Sequence, residues 1–259
     1  MDQPRKLGQL INDGFKLFKE NLVLFSKIVL VIQVPLTILS LIVSLAIFYP
    51  LGLPSSSKIE EYLLTRQPLL ILRLLNPVII TLLVIFILIV LYLSILGSIA
   101  KIIGAAKRIK GEEITVIECY RQAFSKFWSY IWVELLAVLV VLGGIILLIV
   151  PGMIFAIWFA FVGYVVVLEN IKGKKALSFS KRIVRGYFWK VVGNTIAISL
   201  LVAIIVWLID LPASILNSSF LGLISGIIGQ IVSVLVVVVI LMLYFDLKKV
   251  KSETQANKT

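Results

Sequence analysis

Residues 129–168 read SYIWVELLAVLVVLGGIILLIVPGMIFAIWFAFVGYVVVL, 40 residues with one charge, Glu134. A single crossing of about 30 Å of hydrocarbon takes about 20 apolar residues, so this run is too long for one. Pro151-Gly152 divides it nearly in half, and Pro-Gly is a strong turn signal. The stretch predicts a tight hairpin of two spanning helices.

Working outward, residues 22–48 form another apolar run, with Pro35 as a kink inside it. That run is too long for the apolar core of a signal peptide, so it reads as the first span. Asn76-Pro77 reads as an N-cap followed by proline at the first helical position, which starts a second span running to about residue 100. A fifth span covers about 191–211 and a sixth about 221–245. Residues 59–75 carry Glu60, Glu61, Arg66, Pro68 and Arg73. They read as a separate helix on the outer surface, or as part of one long kinked helix. The expected organisation is one polytopic domain over 1–250 and a polar tail over 251–259.

Composition agrees with a hydrocarbon solvent. Apolar and aromatic residues make up 61% of the chain and charged residues 15%, against about 45–50% and 25% in soluble proteins. The net charge of +12 does not point to nucleic acid, because the basic residues flank apolar runs and are not gathered on a soluble face. Arg5 and Lys6, then Lys107, Arg108 and Lys110, then residues 172–190, then Lys248, Lys249 and Lys251 fall on one side of the predicted spans. The opposite loops hold only Lys58, Arg66 and Arg73. The positive-inside rule makes the clustered side cytoplasmic, with both termini there and the chain in the cell membrane.

The chain has no histidine and one cysteine, Cys119. The commonest general base and metal ligand is absent, and an internal disulfide or cysteine-based zinc cluster is excluded. The adjacent carboxylates Glu60-Glu61 and Glu112-Glu113 have no histidine or cysteine near them. No metal, no cofactor and no enzymatic activity are expected.

Three short segments precede spans on the inner side: 7–18, 116–128 and 177–189. At about 100° per residue, Leu7, Leu10, Ile11, Gly14, Phe15 and Phe18 share one face, opposite Asn12, Asp13, Lys16 and Lys19. Val116, Tyr120, Ala123, Phe124 and Phe127 oppose Glu118, Arg121 and Ser125. Leu177, Val184, Tyr187 and Phe188 oppose Lys181, Arg182 and Arg185. The fold class is therefore an all-α integral membrane protein of six transmembrane helices, with three amphipathic interfacial helices on the cytoplasmic side.

The third repeat carries a resemblance. Pro151-Gly152, Glu169, Ala176-Leu177, Ser180, Gly186 and Phe188-Trp189, with the closing Leu243-Tyr244-Phe245-Asp246-Leu247-Lys248, are similar to a membrane-protein family. It is the membrane domain attached to some bacterial glycerophosphoryl diester phosphodiesterases, with related stand-alone prokaryotic membrane proteins. The resemblance implies a structural role for Pro151, Gly152, Glu169, Ser180, Gly186 and Trp189. It does not imply phosphodiesterase chemistry, which in that family belongs to a separate soluble barrel with histidine and acidic metal ligands.

Several residues are candidate sites. Lys27 and Glu134 fall within the inner third of spans one and three. They read as an intramembrane charge pair, or as a snorkelling lysine and a structural carboxylate. Glu169 is expected to pair with Lys181, Arg182 or Arg185. Lys172, Lys174, Lys175, Lys181, Arg182, Arg185 and Lys190 lie in a segment with no acidic residue; they fit anionic-lipid binding or topology control. Gly222 and Gly226 permit close helix approach, within the chain or in a homo-oligomer. Gln33, Gln230 and Asn194 are polar positions in or beside spans.

Two functions remain open. One is a non-catalytic membrane module that acts by contact with anionic lipid or by binding other membrane proteins. The other is a transporter or channel for a small solute. Convergence of Lys27, Glu134, Gln33 and Asn194 on one cavity favours transport; dispersal favours the module.

Overall fold

The structure is a computed structural model that describes residues 4–48 and 77–256. Every regular element among the described residues is a helix: α1 (Leu7–Glu20), α2 (Leu22–Phe48), α3 (Pro77–Ile109), α4 (Val116–Leu147), α5 (Ile149–Trp158), α6 (Val162–Glu169), α7 (Lys174–Val184), α8 (Phe188–Ile215) and α9 (Ser219–Ala256). Six stretches are long and apolar enough to cross a membrane: Leu22–Leu45, Pro77–Ile109, Val116–Leu147, Ile149–Glu169, Phe188–Ile215 and Ser219–Glu253. By length and composition the chain is a multi-pass helical membrane protein. The expected outer helix over 59–75 lies outside the described residues.

The chain divides into two compact units, one of residues up to Val29 and from Leu96 onward, the other Leu30–Ile95. The smaller unit holds most of α2 and the first half of α3. Val31, Ile38, Leu45, Val78 and Leu88 are exposed in it, as expected of helix faces whose solvent is acyl chains. Pro35 sits inside α2, and the Thr37 hydroxyl donates to the Gln33 carbonyl at 2.8 Å.

The larger unit is organised around α9. Val234, Leu235, Val238, Leu241, Tyr244 and Leu247 are buried along it, repeating at helical spacing. Helix α8 packs along α9, and α1 packs on its last turns. Gly14 of α1 meets the Val239 side chain so closely that a Cβ would clash. Phe18 stacks on Phe25 with ring centroids 6.0 Å apart. Arg5 ties this arm down: its Nε donates to Asp246 Oδ2 at 2.9 Å, its second guanidinium nitrogen to Asp246 Oδ1 at 2.8 Å, and its third to Asp13 at 2.9 Å. This two-pronged geometry suits a planar guanidinium on a carboxylate. The hydrogen bonds it donates to Asp246 hold the Arg5 guanidinium above its ordinary value despite the opposing effect of burial.

The hairpin forms as expected, but three residues earlier than the Pro-Gly signal. Helix α4 ends at Leu147, Leu148 is extended at φ −161° and ψ 137°, and α5 begins at Ile149. Pro151 and Gly152 then lie in the first turn of α5. Proline belongs there, since its missing N–H is one that a first turn cannot bond within the helix. Gly152 lets the two spans touch at backbone distance: a Cβ on Gly144 would stand 2.9 Å from the Gly152 Cα.

The inner segments depart from three separate helices. The first is α1 and the third is α7 with the turn after it. The second is continuous with its span, forming the opening turns of α4. Thr115 caps that helix, its hydroxyl accepting from the Glu118 N–H at 3.3 Å while the Glu118 carboxylate accepts from the Thr115 N–H at 2.9 Å. A full capping box starts a helix and supplies no reason to break it thirteen residues later. Phe18 and Phe127 are buried, whereas Phe15, Phe124, Trp128 and Trp189 are exposed. In the first two repeats one aromatic is buried and a neighbour faces out; in the third, Tyr187 and Phe188 are half-buried and Trp189 faces out.

Candidate functional site

The fourth span is broken. Helix α5 stops at Trp158 and α6 restarts at Val162, leaving backbone groups without intrahelical partners inside an apolar span. Non-helical backbone at such a depth persists only where something else satisfies it. Ser180 of α7 supplies this: its hydroxyl donates to the Trp158 carbonyl at 2.8 Å and accepts from the Phe161 N–H at 3.3 Å. Ser180 and Phe161 are fully buried. At the far end of α6, Lys126 donates to the Val167 carbonyl, which places a cation on the negative end of the helix.

Beside the break lies a polar cavity of about 270 Å³. Ser98, Lys101 and Ile102 of α3, Tyr130 and Glu134 of α4, Ala160, Gly163 and Tyr164 at the break, and Val237 of α9 line it. The spacing of four places Tyr130 and Glu134 on one face of α4. Gly163 allows both to approach: a Cβ there would stand 2.7 Å from Glu134 Oε1 and 3.2 Å from the Tyr130 hydroxyl. Lys101 has no hydrogen-bond or ion-pair partner among the described residues. Lys101 precedes Lys107 by six residues and Glu134 follows Trp128 by six. At 1.5 Å per residue, each sits about 9 Å inside the belt that borders its span. A charge at mid-span costs about 2.5–3.5 kcal/mol on insertion scales, so a polar cavity at this depth has a physical role.

Lys101 is the residue that sequence reading missed. Its signal is a lysine just past the expected end of the second span, within an apolar stretch before the Lys107–Lys110 cluster. Lys27, read either as a partner of Glu134 or as a snorkelling lysine, is exposed on α2. No ion pair joins Lys27 to Glu134 among the described residues. Of the other polar candidates, Asn194 is buried on α8 with its Nδ2 unpartnered, Gln230 is exposed, and Gln33 lies in the smaller unit. Lys27 and Asn194 do not line the cavity.

A second feature joins α7 to the hairpin. Lys172, Lys174, Lys175, Lys181, Arg182 and Arg185 are exposed, and Lys190 is half-buried. None of the seven is in an ion pair among the described residues. Lys181 lies 3.9 Å from the Trp158 ring centroid, a cation–π contact. Lys190 differs, because it donates to the Pro4 carbonyl. Gly186, at φ +92°, turns the chain from α7 into α8 in a left-handed conformation that favours glycine. Close by, Val150, Met153 and Ile157 of α5 and Trp189, Val192 and Ile196 of α8 line an open apolar groove of about 570 Å³.

Glu169 does not make the expected pair with Lys181, Arg182 or Arg185. Its Oε1 accepts from Lys248 Nζ at 2.6 Å and from the Tyr244 hydroxyl at 3.0 Å. The closing Tyr244–Lys248 motif and the end of the fourth span therefore form one cluster. Glu112 accepts from Lys107, and that hydrogen bond holds its carboxyl below the usual carboxylate range. No group of three or more histidine, cysteine, aspartate or glutamate residues suited to a metal occurs among the described residues. Gly222 and Gly226 make no close approach; Gly229 is the glycine of α9 that meets α8, at Val206.

No protein-family model, curated protein or solved structure matches the chain, so its fold and its sites rest on its own residues.

Proposed function

We propose that the chain is a non-catalytic membrane module that holds anionic lipid on a cytoplasmic basic arm, residues 172–190. One observation carries this reading: six exposed cations without ion-pair partners among the described residues, beside an apolar groove between α5 and α8. Headgroup charge and an acyl chain find matching surfaces side by side. Attraction of this kind amounts to about 1 kcal/mol per basic residue near an anionic surface and falls with salt. In this reading α1, the start of α4 and the first turn of α7 lie at headgroup depth, Ser180 reaches down to the broken span, and the protein sits in the cell membrane. The family resemblance, through Pro151, Gly152, Glu169, Ser180, Gly186 and Trp189, is proposed on the same terms.

The test compares lipid retained by the purified protein in nanodiscs of mixed anionic and zwitterionic lipid. The control variant carries glutamine at the six exposed positions and keeps Lys190, whose bond to Pro4 is internal. Wild type is expected to prefer anionic lipid by at least about 10-fold over the variant, or about 1.4 kcal/mol. Equal preference reduces the arm to a topology signal. Neither protein is expected to hydrolyse phosphodiesters.

Topology has its own check. Single cysteines at positions 56 and 252, in a Cys119→Ser background, are expected to label from opposite faces of sealed vesicles, with 252 on the cytoplasmic side. Labelling from one face contradicts six spans with both termini inside.

A transporter or channel is the second reading, favoured by a broken span beside a polar cavity, an arrangement that many transporters use for substrate. Solute flux lost in Lys101→Met and Glu134→Gln would promote it.

A further inference from the structure

We infer that the cavity bordered by α3, α4 and α6 is a binding site for a small zwitterion, its primary ammonium held by Glu134 and its carboxylate or phosphate oxygen by Lys101. The inference needs neither the lipid arm nor transport, since Lys101 and Glu134 stand apart from the cations of α7.

The cavity brings one acid and one base together from different helices. They share the cavity without an ion pair between them among the described residues. A buried charge is costly unless it is compensated. A ligand with a single charge would neutralise one of the two and leave the other uncompensated. A neutral ligand with an internal ammonium and oxyanion answers both. The Tyr130 hydroxyl is engaged with Glu134, and the Tyr164 hydroxyl both donates and accepts, which suits a ligand carrying both kinds of group.

Size narrows the class. About 270 Å³ is near the lower limit of small-molecule sites. An amino acid with a small side chain fits this description, as does an ethanolamine phosphodiester. A nucleotide does not. The same chemistry has two sources, a free solute or the headgroup of phosphatidylethanolamine, and Gly163 matters for either. Its missing side chain leaves the space in front of Glu134 and Tyr130 open.

The experiment uses the full chain in nanodiscs of phosphatidylglycerol alone, with radiolabelled glycine and glycerophosphoethanolamine as probes. Acetate and methylammonium serve as single-charge competitors. A second arm adds phosphatidylethanolamine and reads retained lipid by native mass spectrometry. Saturable binding of either free probe, at least 10-fold weaker in Lys101→Met and in Glu134→Gln and unchanged in Lys16→Gln, supports a solute site. Retention of phosphatidylethanolamine with the same dependence, without binding of the free probes, supports the site with a headgroup as its source. Tyr164→Phe, which removes only a hydroxyl, replaces either charge variant that does not fold and is expected to weaken binding about threefold or more. The inference is overturned if no probe or lipid is held in a way that depends on these residues. The same holds if acetate or methylammonium alone competes as well as the zwitterions. The cavity then holds water or a single ion.

Discussion

Replacing Gly152 with alanine is expected to lower the thermal midpoint of the purified protein by roughly 2–12 °C, whereas Gly143→Ala leaves it unchanged or raises it. The two glycines flank the same turn and differ in what a methyl group would meet. At Gly152 it would stand 2.7 Å from the Ile145 backbone nitrogen and 2.9 Å from the Ile145 Cα. Backbone atoms cannot rotate aside, so the helices must separate, and overpacking of this kind costs about 1–3 kcal/mol. Each kcal/mol moves the midpoint of a domain of this size by about 2–4 °C. At Gly143 nothing lies within 4 Å, and alanine gains up to about 1 kcal/mol of helix propensity. Gly144→Ala should behave like Gly152→Ala, because its methyl would meet the Gly152 Cα and the Phe155 ring. Thermal scans of all three variants in one detergent provide the comparison. Equal midpoints for Gly143→Ala and Gly152→Ala would show that the two spans do not touch at their backbones.

The spans were legible because hydrocarbon thickness imposes a length and an apolar content that survive without knowledge of packing. Pro151-Gly152 announced the hairpin, but its reading as the turn itself overlooked proline's place in a first helical turn. The break after Trp158 was not legible. Phe159-Ala160-Phe161 carries no breaker, and the partner of the break is Ser180, which follows it in sequence by about twenty residues. Lys101 was hidden by its neighbours, since a basic cluster six residues on invites it to be read as part of a belt. Glu169 shows a related limit. Seven basic residues follow it closely in sequence, yet the lysine that reaches it is Lys248, 79 residues away. Periodicity and charge bias are local or averaged signals, and they report solvent and orientation well. A site assembled from three helices depends on which faces meet, and no single stretch of sequence encodes that.

Ser180→Ala is expected to be among the most damaging single-atom deletions in the chain, costing about 2–5 kcal/mol. The removed oxygen serves two backbone groups, the Trp158 carbonyl and the Phe161 N–H. A buried polar group left without a partner costs about 1–3 kcal/mol, and more where no water can reach. Ser180 itself is fully buried, which leaves little room for a water in place of the hydroxyl. Ser180→Cys, with its weak donor and acceptor, should fall between serine and alanine. A midpoint alone does not separate this account from a packing defect, because alanine also leaves a small void. Hydrogen exchange does: the Phe161 amide should lose protection in Ser180→Ala while the amides of α9 keep theirs, since local opening draws on the broken span first. A variant as stable as wild type, with the Phe161 amide still protected, would mean that another group satisfies the break. The separation of α5 from α6 would then rest on side-chain packing around Phe161 and Tyr244, whose rings lie 5.6 Å apart.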